Sequence, residues 1–383
     1  MRVLPLLTLV LLLAAAAPAA ASQTAGGSSA ESFVVVLDES VPSAAAVAAE
    51  HATLVGGSVT YTYEHALKGY AIQISPDLVG LIQADPRVDY VEPDGTMAAF
   101  ATQTGATWGL DRIDQRSLPL SGTFTYTRTG SGVKAYIIDT GIRFSHSQFG
   151  GRAINGVDRI DGGTADDCNG HGTHVAGTVG GSTYGVAKGV TLVAVRVLNC
   201  SGSGSTSGVI SGVDWVTGNH AAGQAAVANM SLGGGASSAL DQAVRNSIAD
   251  GVSYAIAAGN GNAFGVAQNA CNYSPARVSE AMTISATDSS DRKASWANYG
   301  SCVDWFAPGV SITSAWHTSN TPTRTISGTS MATPHTAGVA AQYLQGSPGA
   351  SPATLRTALF NLTTKGIVTS SSTTNNHLLF TNL

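Results

Sequence analysis

Charge is scarce in this chain. Only 11% of its 383 residues are Asp, Glu, Lys or Arg, and the formal net charge is −5. That balance cannot build a basic footprint, so a nucleic-acid partner is not expected. Cysteine is scarcer still: four residues, Cys168, Cys200, Cys271 and Cys302. None belongs to a C-x-x-C pair, which argues against a zinc ribbon or finger. The metalloenzyme pattern H-E-x-x-H is absent, because Gly172 follows His171 where Glu would be needed. A dinucleotide fingerprint is absent too, since Ser207 stands where the third Gly after Gly202 and Gly204 would fall. Beyond the first residues no apolar run reaches the ~20 residues of a membrane span, and there is no internal repeat.

What is abundant is apolar residues, at 43%, and glycine, at 45 residues. That composition describes a globular, loop-rich chain with room for two or three domains. Arg2 begins an apolar run over 3–17, broken by Pro5 and Thr8, and Ala19-Ala20-Ala21 precedes Ser22. The pattern predicts a secretory signal peptide over 1–21 and an extracellular destination. Four cysteines in a secreted chain predict two disulfides, with three pairings open on spacing alone.

Residues 22–31 are small and polar, as in a linker. Over 32–96 the runs 33–37, 70–74 and 88–92 read as strands, and 43–54 and 76–84 as helices. A β-α-β-β-α-β order of this kind suits a small ferredoxin-like domain. Residues 97–104 lack hydrophobic periodicity and read as an exposed linker. From there strands (133–138, 190–198, 226–232, 252–258, 281–286) alternate with helices (171–181, 208–219, 238–250, 330–345, 352–361). Alternation predicts an α/β fold with a parallel sheet flanked by helices. Ser238 and Gly251 read as the cap and stop of one helix.

Three segments carry chemistry. Asp139 ends the apolar run from Ala135, where catalytic groups gather beyond strand ends. His171 and His174 sit in Gly170-His171-Gly172-Thr173-His174. Ser330 opens a helix-like stretch within Gly328-Thr329-Ser330-Met331-Ala332, with Pro334 expected in its first turn. A Ser hydroxyl needs a His to take its proton and a carboxylate to orient that His. Ala332 denies the segment the last Gly of a G-x-S-x-G elbow, and the chain order Asp…His…Ser differs from that of α/β-hydrolases.

With these flanks the chain resembles the subtilase family, within it the secreted proteinase K and aqualysin type. The stretches Leu67-Lys68-Gly69-Tyr70 and Val88-Asp89-Tyr90-Val91-Glu92-Pro93-Asp94 resemble the family's inhibitory propeptides, and Ala101-Thr102-Gln103-Thr104 a mature N-terminus. The resemblance implies a signal peptide (1–21), a propeptide (22–100, folded over about 32–96) and a peptidase domain (101–383). It assigns Asp139, His171 and Ser330 to catalysis, leaves His174 structural, and gives Asn260 to the oxyanion hole. It places substrate on Gly202, Ser203 and Gly204 and on the pocket walls Ser231, Leu232, Gly233, Ala257, Ala258 and Gly259. Small walls imply aromatic or aliphatic P1 side chains with broad tolerance. It pairs Cys168 with Cys200 and Cys271 with Cys302. No cofactor is implied for catalysis, but structural Ca²⁺ is, at Asp304 with the carbonyls of Ser279 and Ala281, and at Asp111, Asp114 and Gln115 with oxygens near Ser121 and Thr123. The loop 261–268 is longer than its counterpart in the family.

The expected protein is thus a secreted, monomeric serine endopeptidase. It would act on proteins and peptides, free of membrane and nucleic acid, held by its own propeptide until it cuts after Phe100. A narrow processing protease would instead need acidic subsite residues, and none lie at 202–208 or 257–260. A catalytically dead binding protein would need a missing triad member.

Overall fold

A computed structural model describes residues 29–95 and 101–383; the expected signal peptide and Phe100 lie outside them. The chain divides into two compact units, Met1–Met97 and Ala98–Leu383. Among the described residues no helix is long and apolar enough to cross a membrane.

In the first unit β1 (Glu31–Leu37), α1 (Ala44–Val55), β2 (Ser58–Tyr63), β3 (Gly69–Ile74), α2 (Val79–Gln83) and β4 (Val88–Pro93) follow in order. The sheet is antiparallel, ordered β2-β3-β1-β4. In β1 side chains alternate, and Phe33, Val35 and Leu37 turn into a core shared with Val47 of α1, Ile72 of β3 and Ile82 of α2. Ser43 caps α1 by accepting the Ala46 N–H at 3.2 Å. In the second strand, β2, only Val59 packs against this core and the other positions are Ser, Thr and Tyr, so no hydrophobic pattern marks it in the sequence.

The second unit opens with β5 (Ala101–Thr104), α3 (Trp108–Ile113) and β6 (Thr123–Tyr126). Next come β7 (Lys134–Asp139), β8 (Ala153–Asp158), α4 (His171–Gly180), β9 (Thr191–Arg196), α5 (Thr206–Asn219), β10 (Ala226–Met230), β11 (Gly234–Gly235), α6 (Ser238–Asp250) and β12 (Ser253–Ala257). The rest is β13 (Tyr273–Ser274), β14 (Met282–Thr287), β15 (Trp305–Pro308), β16 (Ile312–Ala315), β17 (Thr323–Ile326), α7 (Thr329–Gly346), α8 (Pro352–Leu362), β18 (Thr364–Lys365) and β19 (His377–Leu378).

Nine strands form one sheet in the order β18-β19-β15-β14-β12-β10-β7-β9-β8. All neighbours are parallel except the edge pair β18–β19. One face packs on α4, α7 and α8 through Val175, Val179, Ala337 and Leu355. The other packs on α5 and α6 through Val209, Val213, Leu240 and Val244. The strand order reverses at β7, which lies between β9 and β10. Such a switch point opens a crevice beyond the strand ends, and Asp139 is the last residue of β7.

Three local expectations change. Residues 101–104, read as the end of an exposed linker, are strand β5, paired antiparallel with β6. The cap of α6 is Ser237, not Ser238: its side chain accepts the Leu240 N–H at 3.3 Å. Pro334 lies in the second turn of α7, which begins at Thr329, and not in its first.

Candidate active site

Asp139 is fully buried, and one carboxylate oxygen accepts the Thr140 N–H at 2.7 Å. His171 opens α4. Its Nδ1 lies 2.8 and 3.0 Å from the two Asp139 oxygens, so Nδ1 carries the proton and Nε2 is left as an unprotonated acceptor. The two segments meet closely. Gly172 N–H donates to Thr140 Oγ1 at 2.9 Å, and a Cβ on Gly172 would lie 2.1 Å from the Gly141 carbonyl oxygen. Only Gly lets the Asp and His segments approach this far. Burial depresses the His171 imidazole, but the charge and hydrogen bond of Asp139, helped by the charge of Asp167, outweigh it and raise the pKa above its ordinary value.

Asp167, buried four residues before His171, organises this junction, and sequence reasoning did not single it out. Its Oδ1 accepts the Thr140 hydroxyl and the N–H groups of Asn169 and Gly170, each at 2.9 Å. Its Oδ2 accepts the Thr173 N–H at 2.9 Å and hydroxyl at 2.6 Å. One carboxylate thus ties the residue after Asp139 to the turn that presents His171. The available signal was an acidic residue just ahead of a Gly-flanked helix start.

Ser330 is the second residue of α7, where first-turn N–H groups lack helical partners. Pro334 has no N–H to give the Ser330 carbonyl, four residues earlier. Ser231 supplies the donor instead, through its hydroxyl at 2.9 Å. The Ser330 hydroxyl donates to the Ser231 carbonyl at 3.1 Å, so in this state it is turned to Ser231 and not to His171. Asn260 follows β12 after Ala258 and Gly259. Its Oδ1 accepts the Thr329 N–H at 2.8 Å and hydroxyl at 2.9 Å. That fixes the amide orientation and leaves Nδ2 as the free donor beside Gly328 and Ser330.

Two hollows adjoin these groups. A cleft of ≈ 500 Å³ runs from His171 between the segment 201–204 and the segment Ser231, Leu232 and Gly233. A pocket of ≈ 340 Å³ lies beside Ser330, walled by Leu232 and Gly233 on one side and by Ala257, Ala258 and Gly259 on the other. No charged side chain lines it. Asn298, also missed in the sequence, holds the second wall: it donates to the Ala258 carbonyl at 2.8 Å and accepts the Gly261 N–H at 3.0 Å. Gly259 has φ +102°, and a Cβ there would lie 2.4 Å from Asn298 Nδ2.

His174 is buried, with Nε2 on the carbonyls of Ile312 (3.0 Å) and Arg324 (3.1 Å). Burial, with His171 adding to it, pushes it down to about 4, a neutral ring tying α4 to the β16–β17 hairpin. Cys168 is bonded to Cys200 and Cys271 to Cys302. The first bridge links the Asp167 turn to the substrate-side loop, where Asn169 also donates to the Cys200 carbonyl at 2.9 Å.

The two expected calcium sets differ. Among the described residues no three His, Cys, Asp or Glu side chains cluster as a metal site. At Asp111 and Asp114 the donors nevertheless suit a hard cation. Asp114 Oδ1 is buried without a partner, and burial, the Thr125 N–H opposing and the Asp111 charge adding, pushes its carboxyl up to about 6. Asp111 Oδ1 accepts the Ser121 N–H and hydroxyl, each at 3.0 Å, Gln115 Oε1 accepts the same N–H at 3.2 Å, and the Ser121 hydroxyl lies 2.7 Å from Thr123 Oγ1. The set at Ser279, Ala281 and Asp304 does not fit a metal, because the Arg356 guanidinium already occupies Asp304 and the Ala281 carbonyl.

Comparison with known proteins gives the family. Residues 130–379 match the subtilase family and residues 31–99 the peptidase inhibitor I9 family. An extracellular serine proteinase of Thermus sp. (strain Rt41A) is 58% identical over 82% of this chain and 75% of its own length. Alkaline serine exoprotease A of Vibrio alginolyticus is 52% identical over 84% of this chain, which spans 60% of that protein. The crystal structure of a cold-adapted subtilisin-like serine proteinase superposes with a TM-score of 0.70 at 54% identity, covering 73% of this chain and all of that one. The chain belongs to the subtilase family and is a serine endopeptidase with an inhibitor-type domain ahead of its peptidase domain.

Proposed function

We propose that this is a secreted endopeptidase of broad specificity, made with a signal peptide (1–21) and an inhibitory propeptide (22–100) and active as 101–383. The observation that carries this reading is the Asp139–His171 pair on a cleft that shares the Leu232–Gly233 wall with the pocket of Ser330, itself at the N-terminus of α7. Rotation of the Ser330 hydroxyl away from Ser231 brings it to His171 Nε2. His171 takes the proton, Ser330 Oγ bonds to the peptide carbonyl carbon, and Asp139 stabilises the imidazolium. Asn260 Nδ2 and the Ser330 N–H receive the oxyanion. The imidazolium then protonates the leaving amine, and water, activated by the same ring, releases the acyl group.

Substrate would lie as an added strand between Gly202, Ser203 and Gly204 and the Ser231–Leu232–Gly233 segment, using main-chain hydrogen bonds that tolerate many side chains. The uncharged pocket walled by Ala257, Ala258 and Gly259 supports large apolar P1 residues. Phe100 fits that preference. The bond Phe100–Ala101 is therefore assigned to self-cleavage, which a tethered substrate favours by proximity. The released propeptide then inhibits in trans until degraded, and the mature enzyme acts as a monomer. Calcium, held at Asp111, Asp114 and Gln115, would supply charge neutralisation and no catalytic step.

The test is N-terminal sequencing of purified precursors. The wild-type chain should yield a product starting at Ala101 and hydrolyse casein. The Ser330→Ala precursor should stay intact and inactive. Cleavage of that isolated variant at the same bond would overturn self-processing, and casein hydrolysis by it would overturn the nucleophile.

A further inference from the structure

The Asp304 corner lies at the base of β15, away from Ser330. Asp304 is buried, its side chain only 8% exposed. A carboxylate so placed needs a compensating positive charge. Both of its oxygens have partners: Oδ2 accepts the Thr283 N–H at 2.8 Å, and Oδ1 accepts Arg356 Nη2. Arg356 Nε donates to the Ala281 carbonyl at 3.1 Å. The side chain comes from α8, so a single guanidinium joins that helix to the start of β14 and the start of β15.

We propose that Arg356 is a built-in cation that replaces an exchangeable calcium ion at this corner. The planar fork presents parallel donors that match one carboxylate oxygen and one carbonyl, and it stays protonated at any working pH. Calcium requires six to eight oxygens at about 2.3–2.6 Å. Here two of the three protein oxygens expected for it, Asp304 Oδ1 and the Ala281 carbonyl, already accept from Arg356. A metal ion would have to displace Arg356 and then repel it from a few ångströms away. The consequence is a corner whose integrity does not depend on free calcium, so that only the Asp111–Asp114 set responds to chelation.

The experiment measures calcium stoichiometry by equilibrium dialysis and the unfolding midpoint with and without calcium, on the full chain carrying Ser330→Ala to stop self-digestion. Asp114→Asn is added to remove the other set. That double variant should bind no calcium at millimolar concentration, and its midpoint should not move with calcium. Adding Arg356→Met should lower the midpoint by several degrees and create one calcium site, which partly restores it and which Asp304→Asn abolishes. Calcium bound by the double variant and lost on Asp304→Asn, measured with Arg356 intact, would overturn the proposal. So would an Arg356→Met protein with neither a lower midpoint nor a new site.

Discussion

Ser231 and Ser330 exchange hydrogen bonds, each hydroxyl donating to the other's carbonyl, at 2.9 and 3.1 Å. Asn229 completes the relay by donating to the Ser231 hydroxyl at 2.9 Å. Pro334 makes this arrangement necessary, because it removes the helical donor that the Ser330 carbonyl would otherwise have. In Ser231→Ala that buried carbonyl loses its donor, a cost of about 1–3 kcal/mol. Pro334→Ala restores an N–H at the helical position, so the double variant should be less destabilised than the sum of the single ones by at least about 0.5 kcal/mol. Thermal unfolding in a Ser330→Ala background, which keeps the carbonyl, checks this. Strict additivity would show that the two donors do not serve one acceptor.

The raised pKa of His171 fixes the sign of the pH dependence. The base must be neutral, so kcat/KM should fall as pH drops through a value above the ordinary ~6.5 of histidine. The same shift adds stability below that ordinary value, lost as pH rises through the folded one. Asp167→Asn removes one of the two charges that raise the pKa and should move the acidic limb downward, besides lowering kcat through a looser His171 turn. A pH–rate profile with wild-type and Asp167→Asn enzyme decides. An unmoved limb would reduce Asp167 to a purely structural part.

Calcium should matter more at alkaline than at acidic pH. Asp114, with a folded pKa of about 6, binds its proton more tightly folded than unfolded. Stability therefore falls as pH rises from about 4 to about 6, and the penalty is fully present above that range. A cation at Asp114 and Asp111 relieves it. Chelation should lower the unfolding midpoint clearly at pH 8 and little at pH 5, with initial rates nearly unchanged. Equal shifts at both pH values would remove Asp114 from the calcium set.

The alternation of buried strands and helices was legible where a parallel strand carries an apolar, buried run, as in β7, β9, β10, β12 and β14. The segments of Asp139, His171 and Ser330 were legible because each carries small residues close by (Gly141, Gly170 and Gly172, Gly328 and Ala332) and because they follow in the order Asp, His, Ser. Other features depend on partners far along the chain. Asp167 acts through backbone and hydroxyl groups that no motif marks. Asn298 holds Ala258, forty positions earlier, and Arg356 on α8 reads as an ordinary solvated helix charge until Asp304 comes beside it. Ser237 and Ser238 are chemically identical neighbours, and only the folded dihedral angles tell which one caps α6. The strand β15 escaped notice because Asp304 interrupts its apolar run at the start.

The loop 261–268 offers the last expectation, a contribution to substrate selection. Its two ends are clamped: Asn298 Oδ1 accepts the N–H of Gly261 at 3.0 Å and of Gln268 at 2.8 Å. Gly261 and, beyond the loop, Tyr273 both line the ≈ 340 Å³ pocket beside Ser330. Within the loop Phe264 is 90% exposed and Val266 56% exposed. Two apolar side chains in solvent, on a loop whose first residue lines that pocket, gain free energy if a substrate covers them. Covering ~50 Å² of the Phe264 ring would contribute roughly 1.3 kcal/mol, about tenfold in affinity. Phe264→Ser should therefore raise KM several-fold for peptides with large apolar residues around the scissile bond. It should leave kcat, and the KM of small alanine-based peptides, nearly unchanged, since nothing in the Asp139–His171 pair is touched. Profiling both enzymes on a peptide library measures this directly. A uniform loss of kcat across all substrates would instead mean that Phe264 supports the position of Asn260, and the specificity role would fall.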